Sequence, residues 1–271
     1  MKTLNKYSFL VVLLFTLQFC TSKKDQTEDT TSQSETMEPE SSISLTPYHD
    51  SPNYDDAMLS MNTPEENGQV EQGPVNFVFD VTNYELAVQT ADADIKMCAN
   101  SAEGQHIHLI LNNQPYTAHY ESEFEMDMES GHYVALAFLS RSYHESVKNP
   151  EAYVIRQFSV GDAEGEPVDL NQPHIFYSRP KGTYSGEDTK KVILDFYLVN
   201  LDLSPDGYKV RATINGEEFM ITEWAPQFIE GLPMGQSTIK LELLDEDGNL
   251  VNSPFNPVER TITLEEGQQP A

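Results

Sequence analysis

Short apolar runs, most of them alternating with polar residues, dominate the chain from residue 74 onward. They include residues 106–111 (HIHLIL), 133–139 (YVALAFL), 192–199 (VILDFYLV) and 238–244 (TIKLELL), and turn-forming residues separate them. Alternation with a period of two predicts half-buried β-strands. No stretch has the period of an amphipathic helix, so the sequence predicts an all-β fold.

The same pattern occurs twice. The first half reads HIHLILNNQPYTAHY, EFEMD, GHYVALAFLSR and KNPEAYVIRQFSV, and the second reads YKVRATINGEEFMITEW, QFIEG, GQSTIKLELLDED and FNPVERTITL. This order indicates one duplicated unit, and about seven short strands per unit is typical of immunoglobulin-like and fibronectin-like β-sandwiches. We therefore predict two tandem sandwiches, residues 74–165 and 166–271, with the linker between them at the start of the second.

The N-terminus predicts export. Lys2 and Lys6 precede a short apolar run, residues 9–17, which has the length of a signal-peptide core. Leu17 and Cys20 resemble the lipobox of bacterial lipoproteins, which implies lipidation of Cys20 after removal of the signal peptide. An ordinary secretory peptide cut near Ser22 and an uncleaved anchor are the alternatives. The expected location is the cell envelope, as an outer-membrane lipoprotein exposed either to the periplasm or at the cell surface.

The segment 21–73 differs in composition from the rest. It is rich in Ser, Thr, Glu, Asp, Gln and Pro and poor in aliphatic residues. Such a stretch buries too little apolar surface to offset the entropy of ordering it, so we predict a disordered acidic tether. Its first residues, SKKDQTED, resemble the charged export signal of surface lipoproteins of the Bacteroidota type.

The charge of the chain excludes one class of partner. Forty-four acidic residues against 16 Lys and Arg give a formal net charge of −28. Nucleic-acid binding depends on neutralising phosphates with Lys and Arg, so no nucleic acid is expected as a partner. The expected partners are the membrane, through the N-terminal lipid, and a protein or glycan ligand.

The chain resembles a family of two-domain lipoproteins of the Bacteroidota type. The resemblance is carried by four segments: QHIHLILNNQPY, LSRSYHES, FYSRPKGTYSG and LPMG. This resemblance implies the same two-sandwich plan over the whole mature chain. Some members carry the name phosphopeptide-binding protein. The strand at 105–112 also resembles a domain of unknown function built around a His-His-His-Leu-Leu-Ile-Asp strand, with Ile107 in place of one histidine.

Histidines are concentrated in the first unit, which holds five of the seven in the chain. Residues i and i+2 of a strand share a face, so His106 and His108 are expected to converge. Imidazole suits copper and zinc, and the candidate metal ligands are His106, His108, His132, His144 and Met126. The alternative is a histidine pair that hydrogen-bonds within the sheet. Lys209 and Arg211 hold the aligned positions of the second unit, which predicts an exposed pair.

Two groups of basic residues form candidate anion sites: Arg141 with Lys148, and Arg179 with Lys181. The arginine guanidinium is a planar fork that matches a carboxylate or a phosphate. The two groups are predicted to flank a groove between the sandwiches and to hold an anion there. The alternative is that each pairs with acidic residues nearby.

Aromatic side chains raise a third possibility, a glycan-binding surface. The candidates for stacking on sugars are Tyr177, Tyr184, Tyr197, Trp224 and Phe228, against the alternative of core packing. The sequence contains no Gly-x-Ser-x-Gly, His-Glu-x-x-His or phosphate-binding glycine loop. The sequence-based hypothesis is therefore a non-catalytic binding module, with a copper or zinc carrier and a glycan-binding lipoprotein as alternatives.

Overall fold

The computed structural model describes residues 43–163 and 166–267. The first of the described strands, β1 (Ser44–Pro47), precedes the first sandwich. That sandwich contains β2 (Met58–Thr63), β3 (Gln69–Val70), β4 (Gly73–Thr82), the short helix α1 (Ala93–Lys96), β5 (His106–Leu111), β6 (Thr117–His119), β7 (Glu123–Met128), β8 (Gly131–Ser140) and β9 (Tyr153–Val160). The second contains β10 (His174–Arg179), β11 (Thr183–Ser185), a 3-10 turn (Gly186–Thr189), β12 (Val192–Val199), β13 (Lys209–Ile214), β14 (Glu217–Ile221), β15 (Gln227–Glu230), β16 (Gly235–Leu244) and β17 (Val258–Glu265).

The two sandwiches have the same strand order. In the first, the sheets are β2-β4-β7 and β3-β9-β8-β5-β6; in the second, they are β10-β12-β15 and β11-β17-β16-β13-β14, and β1 extends the smaller of these at β15. The edge strands β3 and β11 each pair in parallel with the last strand of their unit, whereas the other named pairings are antiparallel. This confirms the prediction of an all-β fold with two tandem sandwiches.

The prediction of a disordered segment 21–73 is wrong for its second half. Residues 43–73 contain β1, β2 and β3, and they supply strands to both sandwiches. Leu59 and Met61 alternate with polar residues and are buried against the first core. The polar composition of the segment concealed these few apolar positions. The first sandwich therefore starts before residue 74. The signal peptide 1–20, Cys20 and the tether residues 21–42 lie outside the described residues.

Each sandwich has its own hydrophobic core, and a third cluster lies between the two. Val134, Leu136 and Phe138 of β8 pack there against Tyr197 and Val199 of β12. Because one face of each strand lines its own core and the other face lines this junction, both strands read as nearly continuous apolar runs. Strand β13 alternates buried and half-buried residues instead, since only one of its faces is covered.

The third cluster determines the environment of β5. Ile107 and Leu109 point into the core of the first sandwich, whereas His106, His108 and Ile110 lie on the face that meets the second sandwich. Within the described residues, no helix has the length and apolar character that a membrane span requires.

Candidate functional site

Three histidines meet at the junction of the sandwiches. His106 and His108 lie two residues apart on β5, and His144 follows β8 in the next loop. The Nε2 atom of His106 is 2.8 Å from Nε2 of His108 and 3.1 Å from Nδ1 of His144. All three nitrogens lie within 4.8 Å of one another. We call these residues the histidine triad.

The strand and the second sandwich orient the first two rings. Nδ1 of His106 lies 2.7 Å from the carbonyl oxygen of Gly104, which can only accept, so Nδ1 carries the hydrogen and the lone pair of neutral His106 is on Nε2. Nδ1 of His108 lies 3.2 Å from Oγ of Ser178 on β10. Both rings thus turn Nε2 toward the centre of the triad, as second-shell partners orient metal-bound imidazoles.

The position of Gly104 leaves no room for a side chain. Its φ is +91°, and an added Cβ would lie 2.4 Å from the carbonyl oxygen of Val88. This conformation is one that glycine adopts at little cost. It brings the Gly104 carbonyl oxygen to within hydrogen-bond distance of Nδ1 of His106.

The loop that carries His144 is constrained by a buried ion pair. Nη1 of Arg141 lies 2.9 Å from Oε1 of Glu145, and the Arg141 amide donates to the Glu145 carbonyl. His144 lies between them with φ of +67°, a conformation uncommon for a residue with a side chain. Backbone outliers of this kind cluster at functional sites because the surroundings must enforce them. The conformation brings Nδ1 of His144 to the other two rings.

Burial lowers the pKa of all three histidines. The pKa of His106 falls to about 4, chiefly because the ring is desolvated. Desolvation also holds the pKa of His108 and of His144 well below the usual value, and the nearby Arg179 and Lys181 lower both further. The imidazoles are therefore neutral at pH 7, which is the form that binds a metal ion.

Tyr116, from the turn between β5 and β6, lies beside the triad. Its ring stacks on His108 with centroids 3.5 Å apart, and its hydroxyl is 3.3 Å from Nδ1 of His144. Lys181 contacts this tyrosine from the second sandwich: Nζ is 3.7 Å from the ring centroid and donates to the Tyr116 carbonyl. Arg179 lies 5.6 Å from the same ring.

The structure brings together only part of the predicted metal set. His132 bonds to Gln157 and Ser159 of β9, and Met126 lies on β7 in the other sheet of the first sandwich. Neither joins the triad. The prediction of an exposed pair is also wrong, since the relative accessibility of both His106 and His108 is 0 %. The aligned Lys209 and Arg211 are half-buried, on the face of β13 that the first sandwich does not cover within the described residues.

The four predicted anion ligands fall into two kinds. Arg141 pairs with Glu145, and Lys148 pairs with Asp195 of β12, so these two cations are neutralised within the protein. Arg179 and Lys181 have no carboxylate within ion-pair distance among the described residues. Arg179 is buried and donates to the hydroxyl of Tyr184. The only part of the predicted anion site that keeps unneutralised charge therefore adjoins the triad.

Sequence reasoning missed Asp195, Tyr116 and Ser178. Asp195 is buried between the sandwiches, where it accepts from the Ser146 amide at 3.0 Å and from Lys148. A single acid in the apolar run VILDFYLV was a usable signal, since buried carboxylates need partners. Ser178 reaches the triad only through the packing of the two sandwiches, and Tyr116 reaches it through the turn between β5 and β6; neither contact follows from a local sequence pattern.

The aromatic residues considered for glycan binding do not form an exposed row. Tyr177 and Tyr184 lie in the second core, and Tyr197 lies between the sandwiches. Trp224 packs edge-on against Tyr197 and donates to the carbonyl of Phe196. Phe228 stacks on Tyr48 at 4.0 Å. These rings therefore pack within the fold, which is the alternative to stacking on sugars.

No protein-family profile matches the chain, and no curated protein matches it. Among solved structures, the fibronectin(III)-like modules of Clostridium thermocellum CbhA are 12% identical, with a TM-score of 0.27 over 77% of this chain and 95% of that one. The Bacteroides ovatus mixed-linkage glucan utilisation locus protein SGBP-B, in complex with a mixed-linkage heptasaccharide, is 11% identical, with a TM-score of 0.24 over 76% of this chain and 47% of that one. The tandem V-type regions of the chitin-binding protein VCBP3 are 7% identical, with a TM-score of 0.21 over 77% and 99%. With TM-scores of 0.27 or lower, these similarities give no information about the ligand of this chain.

Proposed function

We propose that this protein is a non-catalytic binding module of the cell envelope whose ligand is a transition-metal ion, copper or zinc, bound by His106, His108 and His144. The observation that carries this proposal is that three neutral imidazole nitrogens lie within 4.8 Å of one another at the junction of the sandwiches. Neutral imidazole is a ligand of both metals.

The spacing of the nitrogens suits a metal ion. Zinc–nitrogen bonds of 2.0–2.1 Å in a tetrahedral site put neighbouring nitrogens about 3.3 Å apart. The two distances from Nε2 of His106, 2.8 Å and 3.1 Å, differ from this value by a few tenths of an ångström. The third pair, Nε2 of His108 and Nδ1 of His144, lies within 4.8 Å. Two of the ligands lie on a strand and the third on a loop held by an ion pair, and rigid elements of this kind preorganise a site.

Attachment to a membrane through a lipidated Cys20 is part of the same proposal. It is supported by the order of Lys2, Lys6, the apolar run 9–17 and the cysteine in the sequence. The likeness of QHIHLILNNQPY and FYSRPKGTYSG to Bacteroidota-type lipoproteins supports the same location. Metabolic labelling with a radioactive fatty acid tests this part, because Cys20→Ser should abolish the label.

Calorimetric titration of the full-length chain with Cu(II) and Zn(II) tests the metal site. The proposal predicts one tight equivalent, which His106→Asn with His108→Asn removes. His132→Asn is the matched control, because this histidine belongs to the same sandwich but lies outside the triad. Absence of tight binding, or equal loss in the control, would contradict the proposal.

A further inference from the structure

The position of Tyr116 bears on the coordination of a metal ion in the triad. Its relative accessibility is 2 %, and its ring lies within 15° of parallel to His108 at a centroid distance of 3.5 Å. The hydroxyl oxygen is 3.3 Å from Nδ1 of His144. This is about the separation of two ligand atoms that share one tetrahedral metal ion. With respect to Nδ1 of His144, the phenol oxygen therefore lies at the distance of a fourth ligand.

The charges around the triad call for an anionic ligand. Arg179 and Lys181 lie against Tyr116, and no described carboxylate is within ion-pair distance of either. A divalent ion held by three neutral imidazoles would add positive charge beside the buried Arg179 and the half-buried Lys181. Buried charges are stable only when they are compensated. A phenolate oxygen would compensate both the metal ion and the adjacent cations.

We propose that Oη of Tyr116 is the fourth ligand of the metal site, so that the site is His3Tyr. This inference rests on the proposed function and narrows it. On coordination the O–H bond is replaced by an O–metal bond and the proton leaves to solvent. A hard anionic oxygen favours Cu(II) or Zn(II) over Cu(I), because soft ligands select Cu(I).

Tyr120 provides a control within the same site. Its ring centroid is 5.0 Å from that of His106, so a second phenol lies beside the triad. Its hydroxyl, however, is paired with Oγ of Ser101 at 2.7 Å. Tyr120→Phe therefore removes a phenol beside the triad without removing the proposed ligand.

Visible absorption of the full-length chain with one equivalent of Cu(II) tests the inference, since phenolate coordinated to Cu(II) gives a charge-transfer band that imidazole alone does not. We expect the band in the wild type and in Tyr120→Phe. Tyr116→Phe should lose the band and bind Cu(II) at least roughly 10-fold more weakly, because the loss of a group that only supports a ligand already costs about 10- to 100-fold. Phenylalanine preserves the stacking on His108 and the carbonyl that Lys181 contacts.

Three outcomes separate the two proposals. Copper bound without the band, or an unchanged band in Tyr116→Phe, would overturn the tyrosine ligand and leave the triad as the site. No copper bound by the wild type would overturn both. If Tyr116→Phe does not fold, resonance Raman spectra of the copper-loaded wild type decide the question: phenolate vibrations enhanced in the visible support the ligand, and their absence overturns it.

Discussion

Acidification should destabilise the protein through the histidine triad. In the unfolded chain a histidine has a pKa of about 6.5, whereas burial lowers the pKa of His106 to about 4 in the folded protein. Between these values the unfolded chain binds more protons than the folded one. The stabilising contribution is therefore present above pH 6.5 and is lost as the pH falls toward 4.

The size of this effect follows from the shift. A difference of one pKa unit corresponds to about 1.4 kcal/mol, so the shift of His106 from 6.5 to about 4 amounts to roughly 3 kcal/mol between pH 6.5 and pH 4. Within this interval the free energy of unfolding should change by at most about 1.4 kcal/mol per pH unit for each such histidine. His108 and His144 shift in the same direction and increase the dependence.

Urea unfolding of the full-length chain at a series of pH values measures this dependence. His106→Asn is the matched variant, because an asparagine amide can still donate to the Gly104 carbonyl but does not titrate. We expect the variant to lose less stability than the wild type as the pH falls from 6.5 to 4.5. Equal slopes in the two proteins would refute the reasoning, since the neutral buried state of His106 would then have no energetic consequence.

Three further predictions follow from the packing around the triad. Asp195→Ala leaves the Lys148 ammonium without its carboxylate partner, and we expect a loss of about 3–5 kcal/mol in the free energy of unfolding. An unchanged denaturation midpoint would show that this ion pair contributes little to stability. Gly104→Ala places a Cβ 2.4 Å from the carbonyl oxygen of Val88, which displaces the Gly104 carbonyl that orients His106. Zinc affinity, measured by chelator competition, should fall at least about tenfold; wild-type affinity would show that the carbonyl does not orient the ligand. Ile43→Ala, in the segment that carries β1, should cost about 2 kcal/mol in thermal or chemical unfolding because the side chain is buried in the second core; no loss would place residue 43 outside the folded unit.

Local periodicity was sufficient to predict the sandwiches. Strands β5 and β13 are recognisable as HIHLIL and KVRATI, and their common surroundings in the sequence reveal the duplication. The same comparison misled the prediction of burial for His106 and His108. Duplicated strands have the same inner face, but their outer faces differ, because the second sandwich covers β5 whereas no element among the described residues covers β13 in the same way.

The site could be predicted only in part for the same reason. His106 and His108 share a strand face, which is a local property, and their convergence was predictable. His144 joins them through an unusual backbone conformation, and Tyr116 and Ser178 through contacts between distant segments. The sequence therefore included the three members of the triad among five candidates but gave no means of separating them from His132 and Met126.

Anomalous diffraction at the metal absorption edge, from crystals of the full-length chain loaded with zinc or copper, tests the central claim most directly. We predict one strong peak, from an ion bonded to Nε2 of His106, Nε2 of His108 and Nδ1 of His144. A peak at other residues, or no peak in crystals that diffract well, would contradict it.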